Sequence, residues 1–309
     1  MKVSIIGASG TLGSCTAFNI ITHRLADEIV LLDVNAGLLN AHWMDLNIAI
    51  TGMDIVVRKG NYEDIQGSDI VINAAGAPSG AITSRAALLP SNFPIIKEAM
   101  ENINKYCPEA IVITQTNPVD GLNYAVYLLS KHRNRQKCIG YALNDTIRFR
   151  MWSAQFLGVK SSQVEGMAIG EHGESQVMLF STLKVDGKPV TVDEETRNKI
   201  LAQPPLFLQA FETNVPKRTA GWVSAVGTTA VVKAIVNNTG EVIPCGTVLN
   251  GEYGCRDLSM TVPVVIDKNG IREVKTLELA PEEREQLQNS VNSINSQMRY
   301  VEEQTGISK

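Results

Sequence analysis

The sequence predicts an α/β fold, a doubly wound parallel sheet followed by a C-terminal α+β domain. Short apolar runs, which are typical of buried strands, alternate with helix-length segments through the first half of the 309 residues. A turn with three glycines joins the first predicted strand to the first predicted helix. The alternation ends near residue 144. We therefore predict two domains, which cover residues 1–144 and 145–309.

In the first domain the strands and helices follow one another as a parallel sheet requires. The strand-like runs cover residues 2–6, 28–32, 55–57, 69–73, 110–114 and 138–140. The helical segments cover residues 14–22, 38–50, 92–106 and 119–130. Because ligands of such sheets bind beyond the carboxyl ends of the strands, we expect the functional residues to cluster there.

The second domain contains, in order, a helix, two strands, two helices, two strands and a last amphipathic helix. These elements cover residues 145–157, 164–169, 176–185, 193–214, 220–238, 242–249, 258–266 and 281–304. Strands and helices are grouped here rather than alternating, which indicates an α+β arrangement.

The overall composition excludes several classes of partner. A net charge of −4 provides no general attraction for nucleic acid or anionic lipid. No apolar run reaches the ~20 residues that span a bilayer, and the chain begins directly with a predicted strand rather than a targeting peptide. The five cysteines are an odd, scattered set with no CxxC spacing, which favours reduced thiols over a disulfide framework or a zinc cluster. We therefore predict a cytoplasmic protein with no nucleic-acid partner, no membrane segment and no metal site.

The segment after the first strand has the spacing of a dinucleotide-binding turn. Gly7 permits a tight turn, Gly10 lets the backbone approach a pyrophosphate, and Gly13 lets the helix pack on the strand. The phosphates of the ligand would contact the N-terminus of that helix. The other binding candidates in this turn are Ser9, Thr11 and Leu12.

An acid follows at the end of the second strand. Asp33 lies 20 residues after Gly13, at the distance expected for an acid that binds a ribose diol. A carboxylate at this position repels a 2′-phosphate, which favours NAD over NADP as the cofactor. The alternative is a glycine-rich turn that binds no ligand.

Small and polar residues follow the other predicted strands at the same edge. Ala74, Ala75 and Gly76 end the strand over 69–73 and allow the close approach of a ring or ribose. Asn117 follows the strand over 110–114, and capping of the next helix is its alternative role. The remaining cofactor-binding candidates are Asn92 and Thr116.

His172 is flanked by glycines in the run Gly-Glu-His-Gly, at the end of a predicted strand. An imidazole can exchange a proton near neutral pH, as alcohol oxidation requires. Asp145 is the candidate acid that orients it, and Arg148, three residues along the same helix, can face the same cleft. A guanidinium binds a carboxylate through two parallel hydrogen bonds. The alternatives are a structural strand-end histidine and a surface ion pair.

These motifs occur in the order of a known family. The chain resembles the malate/lactate dehydrogenase family, the NAD-dependent L-2-hydroxy-acid dehydrogenases, along nearly its whole length, and its opening is closer to the malate branch. The resemblance implies a Rossmann-type cofactor domain, bound NAD, and hydride transfer between NAD(H) and a small 2-hydroxy or 2-keto acid. The matching elements are GASGTLG, Asp33, AAGAP, Arg85, NPVD, the Asp145/Arg148 pair and GEHG.

The resemblance also implies a role for each matching residue. His172 accepts the hydroxyl proton during oxidation and returns it during reduction, while Asp145 holds the imidazole tautomer. Arg148 binds the carboxylate next to the reacting carbon. Arg85 closes over the site and polarises the carbonyl, and Asn117 hydrogen-bonds substrate or cofactor.

The chain departs from the family at two positions of the substrate pocket. Six residues before Arg85 the malate branch has an arginine and the lactate branch a glutamine, whereas this chain has Ser79. A second carboxylate would lack its partner there, and an unpaired buried charge costs roughly 3–5 kcal/mol. Arg218 is a candidate for the missing cation. Trp222 aligns near a position that is usually small, where it lines the pocket or packs in the core or an interface.

These departures leave the substrate open among malate/oxaloacetate, lactate/pyruvate and a less common acid. Two other functions are alternatives, an NAD-dependent glycosidase of related fold and an NAD-binding protein without catalysis. The resemblance implies a homodimer or homotetramer. The apolar residues that resemble the family's dimer helix, or that instead pack inside the monomer, are Leu38, Leu39, Trp43, Leu46 and Ile50.

Overall fold

The structure is a computed structural model that describes residues 1–77, 86–214 and 220–307, with only the backbone of Glu212. Ser79 and Arg85, two of the predicted substrate-binding residues, lie outside the described residues. Arg218, the candidate for the missing cation, lies outside them as well.

Helices and strands are numbered separately in chain order within the described residues. The strands are β1 Lys2–Ile6, β2 Glu28–Leu32, β3 Val56–Lys59, β4 Ile70–Asn73, β5 Ile111–Thr114, β6 Cys138–Gly140, β7 Val164–Glu165, β8 Ala168–Ile169, β9 Val177–Met178, β10 Lys184–Val185, β11 Lys188–Pro189, β12 Glu241–Asn250, β13 Arg256–Asp267 and β14 Gly270–Val274. The helices are α1 Thr11–Thr22, α2 Ala36–Ala49, α3 Leu89–Tyr106, α4 Val119–Leu129, α5 Leu143–Leu157, α6 Glu194–Leu201, α7 Gln203–Asn214, α8 Gly221–Val236 and α9 Pro281–Thr305.

One large sheet runs through the described residues, with nine strands in the order β14-β13-β12-β6-β5-β4-β1-β2-β3. The six strands from β3 to β6 pair in parallel. Their order, 3-2-1-4-5-6, is that of the Rossmann-type fold. β12, β13 and β14 extend the same sheet in the antiparallel sense. The predicted fold class is therefore confirmed.

The strand order places the functional edge of the sheet. β1, β4 and β5 are apolar and almost wholly buried, which is expected for central strands covered by helices on both faces. The strand order reverses between β1 and β4, whose carboxyl ends lead into the glycine turn and into residues 74–77. A crevice at such a reversal is where dinucleotides bind.

The second domain differs from the sequence prediction at four strands, one of which is the unpredicted β11. The predicted strand over 164–169 is two short strands, because β7 pairs with β10 while β8 pairs with β9. The predicted strand over 176–185 is interrupted by a 3-10 turn at Phe180–Thr182, where the buried Glu283 carboxylate binds the Ser181 backbone N–H and hydroxyl. β14 was not predicted, although the Asn269-Gly270 pair at its start is typical of hairpin turns.

Two further predictions bear on the overall organisation. Helix α5 begins at Leu143, so the proposed domain boundary between residues 144 and 145 falls inside its first turn. None of the described helices combines the length and the apolar character that crossing a bilayer requires.

Candidate active site

The glycine turn between β1 and α1 is shaped by the absence of side chains. A Cβ atom at Gly7, where φ is +83°, would lie 2.5 Å from the backbone nitrogen of Ala75. A Cβ atom at Gly13 would lie 2.2 Å from the carbonyl oxygen of Gly7. Both distances are far inside van der Waals contact, so only glycine fits. Gly10 is exposed, and a Cβ there would meet only the Gly7 oxygen at 3.5 Å.

The start of α1 leaves backbone donors for a ligand. Gly10 precedes the helix and provides no side-chain cap. The N–H groups of the first turn, at Thr11 and Leu12, therefore have no intrahelical acceptor, which suits an anion such as a phosphate. The turn and the helix start thus fit the pyrophosphate of a dinucleotide.

Asp33 joins the glycine turn to the end of β2. One carboxylate oxygen accepts a hydrogen bond from the Ser9 N–H at 2.9 Å, and the other accepts from the Asn35 N–H at 2.9 Å. A carboxylate has about four acceptor positions, so these two bonds leave capacity for the hydroxyls of a ribose. Asp33 is also only partly buried, which keeps it within reach of a ligand.

A second group of polar residues lies beyond β4 and β5. The buried Asn92 side chain accepts from the Ala77 N–H at 2.7 Å and donates to the Asn117 carbonyl at 2.7 Å. The Thr116 hydroxyl donates to the Ala75 carbonyl at 2.7 Å. These bonds bring the predicted candidates Asn92, Thr116 and Asn117 together with Ala75. The buried Asn117 side-chain oxygen has no hydrogen-bond partner within the described residues.

The catalytic pair predicted from the sequence forms in the structure. The Nδ1 atom of His172 lies 2.6 Å from an Asp145 carboxylate oxygen, and both side chains are about 6% exposed. The His172 backbone N–H donates to the Asp120 carboxylate at 2.8 Å. Asp120 begins α4, three residues after Asn117. This contact connects the predicted histidine to the cofactor edge of the sheet.

Arg148 lies one helical turn after Asp145 on α5. Its Nη1 atom is 3.6 Å from the second Asp145 oxygen, and the side chain is 11% exposed. The guanidinium carbon lies 4.7 Å from the centre of the Phe207 ring, at a distance typical of a cation–π contact. Sequence analysis assigned no role to Asp120 or Phe207. The signal for Asp120 was its place in the NPVD motif, whereas no local pattern marks Phe207, which lies on the separate helix α7.

Trp222 does not join His172. Its side chain is 78% exposed and lines a groove with residues of α1 and α2, among them Phe18 and His42. Ser224, two residues further along α8, instead accepts a hydrogen bond from the Asn144 side chain at 2.8 Å. Residues two apart on an α-helix point about 200° apart, so Trp222 faces away from the interior. Trp222 therefore lies at the surface rather than in the core.

The described residues contain no group of three or more His, Cys, Asp or Glu side chains placed to hold a metal ion. All five cysteines are free thiols.

The chain matches two family models that together span most of its length. The lactate/malate dehydrogenase NAD binding domain matches residues 1–140, and the lactate/malate dehydrogenase alpha/beta C-terminal domain matches residues 143–305. The chain belongs to the lactate/malate dehydrogenase family. It is an NAD-dependent dehydrogenase that acts on the CH–OH group of hydroxy acids.

Individual relatives and solved structures agree with this assignment. The chain is 36% identical over 301 residues to malate dehydrogenase of Natronomonas pharaonis, covering 96% of this chain and 98% of the relative. It is 34% identical over 291 residues to malate dehydrogenase of Bacteroides fragilis, covering 92% of each.

Among solved structures, malate dehydrogenase of Cryptosporidium parvum superposes with a TM-score of 0.92 at 31% identity, covering 98% of this chain and 99% of that chain. A lactate dehydrogenase of Cryptosporidium parvum, complexed with lactic acid and nicotinamide adenine dinucleotide, superposes with a TM-score of 0.92 at 29% identity. This match covers 97% of this chain and 98% of that one. Solved structures of both a malate and a lactate dehydrogenase are therefore similar to the structure of this chain.

Proposed function

We propose that the chain interconverts a 2-hydroxy acid and its 2-keto acid through proton transfer at His172. The buried contact between His172 Nδ1 and Asp145, 2.6 Å long, carries this proposal. It favours the tautomer with a proton on Nδ1, so that Nε2 can accept the hydroxyl proton of the substrate. NAD, when bound, accepts the hydride in oxidation and supplies it in reduction.

Asp145 and Arg148 would then contact different groups, Asp145 the imidazole of His172 and Arg148 the substrate. The Asp145 carboxylate stabilises the imidazolium that forms when His172 is protonated, and burial strengthens that attraction. Phe207 covers one face of the Arg148 guanidinium, and N–H groups in the guanidinium plane would bind the carboxylate of the substrate. Arg85 would polarise the carbonyl, by the resemblance.

The residues of the sheet edge would hold the cofactor. The N–H groups of the glycine turn would bind the phosphates, and Asp33 would bind a ribose diol. Ala74, Ala75 and Gly76 leave room beside β4 for the nicotinamide end. The unpartnered Asn117 oxygen, at the same edge, would accept from cofactor or substrate.

We propose a substrate whose side chain carries no second carboxylate. The support is Ser79, which stands where the family has an arginine or a glutamine and which cannot neutralise a buried charge. The relatives named malate dehydrogenase favour a dicarboxylate instead. Ser79 outweighs this because an unpaired buried carboxylate costs roughly 3–5 kcal/mol, or a factor of about 150 to 5,000 in kcat/KM.

A panel of 2-keto acids with NADH tests this proposal, including pyruvate, larger acids with neutral or sulfonated side chains, and oxaloacetate. We expect kcat/KM for oxaloacetate to be at least about 100-fold below that of the best neutral acid. Ser79→Arg should raise oxaloacetate turnover, and Ser79→Thr is the matched control. Oxaloacetate as the best substrate of the unaltered chain would contradict the proposal. NADH binding without turnover of any acid would support the non-catalytic alternative.

We also propose that the chain self-associates through the face formed by α1, α2 and α8. Three of the apolar residues that were expected to form a dimer helix, Leu39, Leu46 and Ile50, are buried inside the monomer. Other apolar side chains of these three helices are exposed, and Phe18, Trp222 and Val226 among them line one groove. The exposed side chains are Phe18, Leu38, Met44, Ile48, Trp222 and Val226. An exposed apolar patch of this kind is typical of a protein interface, and a dimer requires the same patch on both copies.

Light scattering during size-exclusion chromatography tests the proposed interface. Trp222→Glu should shift the chain towards the monomer, because a charge would be buried in the contact. Val242→Glu, a substitution at an exposed apolar residue at the start of β12, is the matched control. An unaltered chain that is monomeric at high concentration would contradict this proposal.

We propose a cytoplasmic location, supported by the free thiols. Fractionation of the source cells tests the location.

A further inference from the structure

Glu171, the residue before His172, has a buried carboxylate held by neutral groups. It is 9% exposed. One oxygen accepts from the backbone N–H and the hydroxyl of Ser175, at 3.2 and 2.5 Å. The other accepts from the Ser293 hydroxyl at 3.0 Å and the Gln297 amide at 3.4 Å. Within the described residues no lysine, arginine or histidine forms an ion pair with it.

The Glu171 side chain folds back beneath the turn that carries His172. A Cβ atom at Gly173 would lie 2.6 Å from the Glu171 carboxyl carbon. Only a glycine after His172 leaves the space that the Glu171 carboxylate occupies. Glu171 and Gly173 therefore fit together within the run Gly-Glu-His-Gly.

Helix α9 holds this turn from one side. The Ser290 hydroxyl accepts from the Glu171 N–H at 3.1 Å and donates to the Ser175 carbonyl. Gln297 links the carboxylate to α4, because its side-chain oxygen accepts from the Gly121 N–H at 3.1 Å. These contacts fix the backbone on either side of His172 and tie it to the C-terminal helix.

Helix α4 holds the turn from the other side, since the His172 N–H donates to Asp120 at 2.8 Å. The imidazole is in turn oriented by Asp145. The backbone and the ring of the histidine are therefore held by separate sets of hydrogen bonds. Of these, the set around Glu171 depends on two oxygens that accept from four donors, which an amide cannot reproduce.

We infer that Glu171 is a positioning residue for His172. Its carboxylate binds the turn to α9 and keeps Nε2 of His172 at the place where it exchanges a proton with the substrate. Glu171 itself gains and loses no proton in the reaction. This inference rests on the proposed role of His172. Small displacements of a reacting group lower rates strongly, by roughly 100-fold for 1 Å.

Glu171→Gln tests the inference, because it keeps the size of the side chain but replaces one accepting oxygen with a donor group. We expect kcat to fall by roughly 10- to 100-fold while the Kd for NADH changes less than about twofold. The isotope effect on kcat with deuterated NADH should rise, because the chemical step becomes slower than the other steps. Ser293→Ala removes a single donor and should lower kcat less, in the same direction.

Glu283→Gln is the matched control. Glu283 is also a buried carboxylate at α9, held by the Ser181 N–H and hydroxyl, but it does not contact the His172 turn. This variant should lower the Tm and leave kcat and the isotope effect unchanged. The inference is wrong if both glutamine variants change only the Tm. If Glu171→Gln does not fold, the inference is wrong when Ser293→Ala leaves kcat and the isotope effect unaltered. If instead the proposed role of His172 is wrong, the His172→Asn enzyme will remain active.

Discussion

The proposed cofactor half and the proposed catalytic half of the site, called below the cofactor half and the catalytic half, are held together by different means. The cofactor half is one continuous turn whose shape depends on missing side chains, since a Cβ at Gly7 or Gly13 would overlap backbone atoms. The catalytic half combines segments far apart in the chain. Asp120, Asp145 and the serines of α9 reach His172 or its neighbour through buried hydrogen bonds.

This difference determines which changes each half tolerates. Added atoms disturb the cofactor half, because packed backbone has no space for them. Removed or altered polar groups disturb the catalytic half, because a buried partner is left without its hydrogen bond. The following experiments separate these two kinds of sensitivity.

The largest effect is expected from His172→Asn. An asparagine retains polarity but cannot exchange the proton, so kcat should fall by roughly 100- to 10,000-fold. Binding of NADH, measured by its fluorescence, should stay within about twofold because the cofactor half is unchanged. His132→Asn, at an exposed histidine paired with Glu109, is the matched control and should retain full activity. Substantial turnover by His172→Asn would refute the acid–base role.

The next largest effect is expected from Gly13→Ala. The new Cβ would lie 2.2 Å from the Gly7 oxygen, so the backbone must shift. We expect the free energy of unfolding to fall by about 1–3 kcal/mol, the range for overpacked sites. Denaturant unfolding without NADH measures it.

Gly10→Ala is the matched control within the same turn. Its φ of −67° suits alanine, and its nearest neighbour would be 3.5 Å away. This variant should unfold like the unaltered chain but bind NADH more weakly, since the added methyl faces the approach to the pyrophosphate. Equal losses of stability in both variants would show that the turn does not exclude a Cβ at Gly13 more than at Gly10.

The contrast between the halves also explains what could be predicted from sequence. The residues of the glycine turn and Asp33 lie within 33 positions, so their spacing alone describes the cofactor edge. The strands of the parallel sheet were predicted for the same reason, since each is a short apolar run bounded by its own turn. Local pattern and local structure coincide in this half.

In the catalytic half, local patterns located the groups but not their supports. His172 and Asp145 were found from short motifs. The bond between Glu171 and Gln297 joins residues 126 positions apart, and no pattern near either residue indicates the other. The strand predicted over 164–169 was wrong for a related reason, because its two ends pair with different strands.

Asp33→Ser should have an intermediate effect. Removing the charge should lower the preference for NADH over NADPH, measured as the ratio of kcat/KM values, by at least about tenfold. The Ser9 and Asn35 N–H groups also lose an acceptor. Asp33→Asn keeps one accepting oxygen and should therefore change the ratio with less damage to NADH binding. An unchanged ratio in both variants would contradict the ribose role.

The smallest effect is expected outside both halves, at Glu252 in the β12–β13 hairpin. Burial raises the pKa of this carboxyl, but hydrogen bonds from Arg135 and the Asn250 N–H outweigh it and lower the pKa from 4.5 to about 2. The folded pKa lies below the unfolded one, so the stabilisation is present above pH 4.5 and is lost as the pH falls towards 2.

Glu252→Gln should therefore lower the free energy of unfolding by about 1–2 kcal/mol at pH 7, allowing for solvent screening, and match the unaltered chain near pH 2. Denaturant unfolding across this pH range measures the difference. Glu109→Gln, which breaks a more exposed pair with Lys137, should have a smaller effect. Neither variant should change kcat, because Glu252 and Glu109 lie outside both halves of the site. A fall in kcat at pH 7 for Glu252→Gln would mean that the hairpin also positions the site.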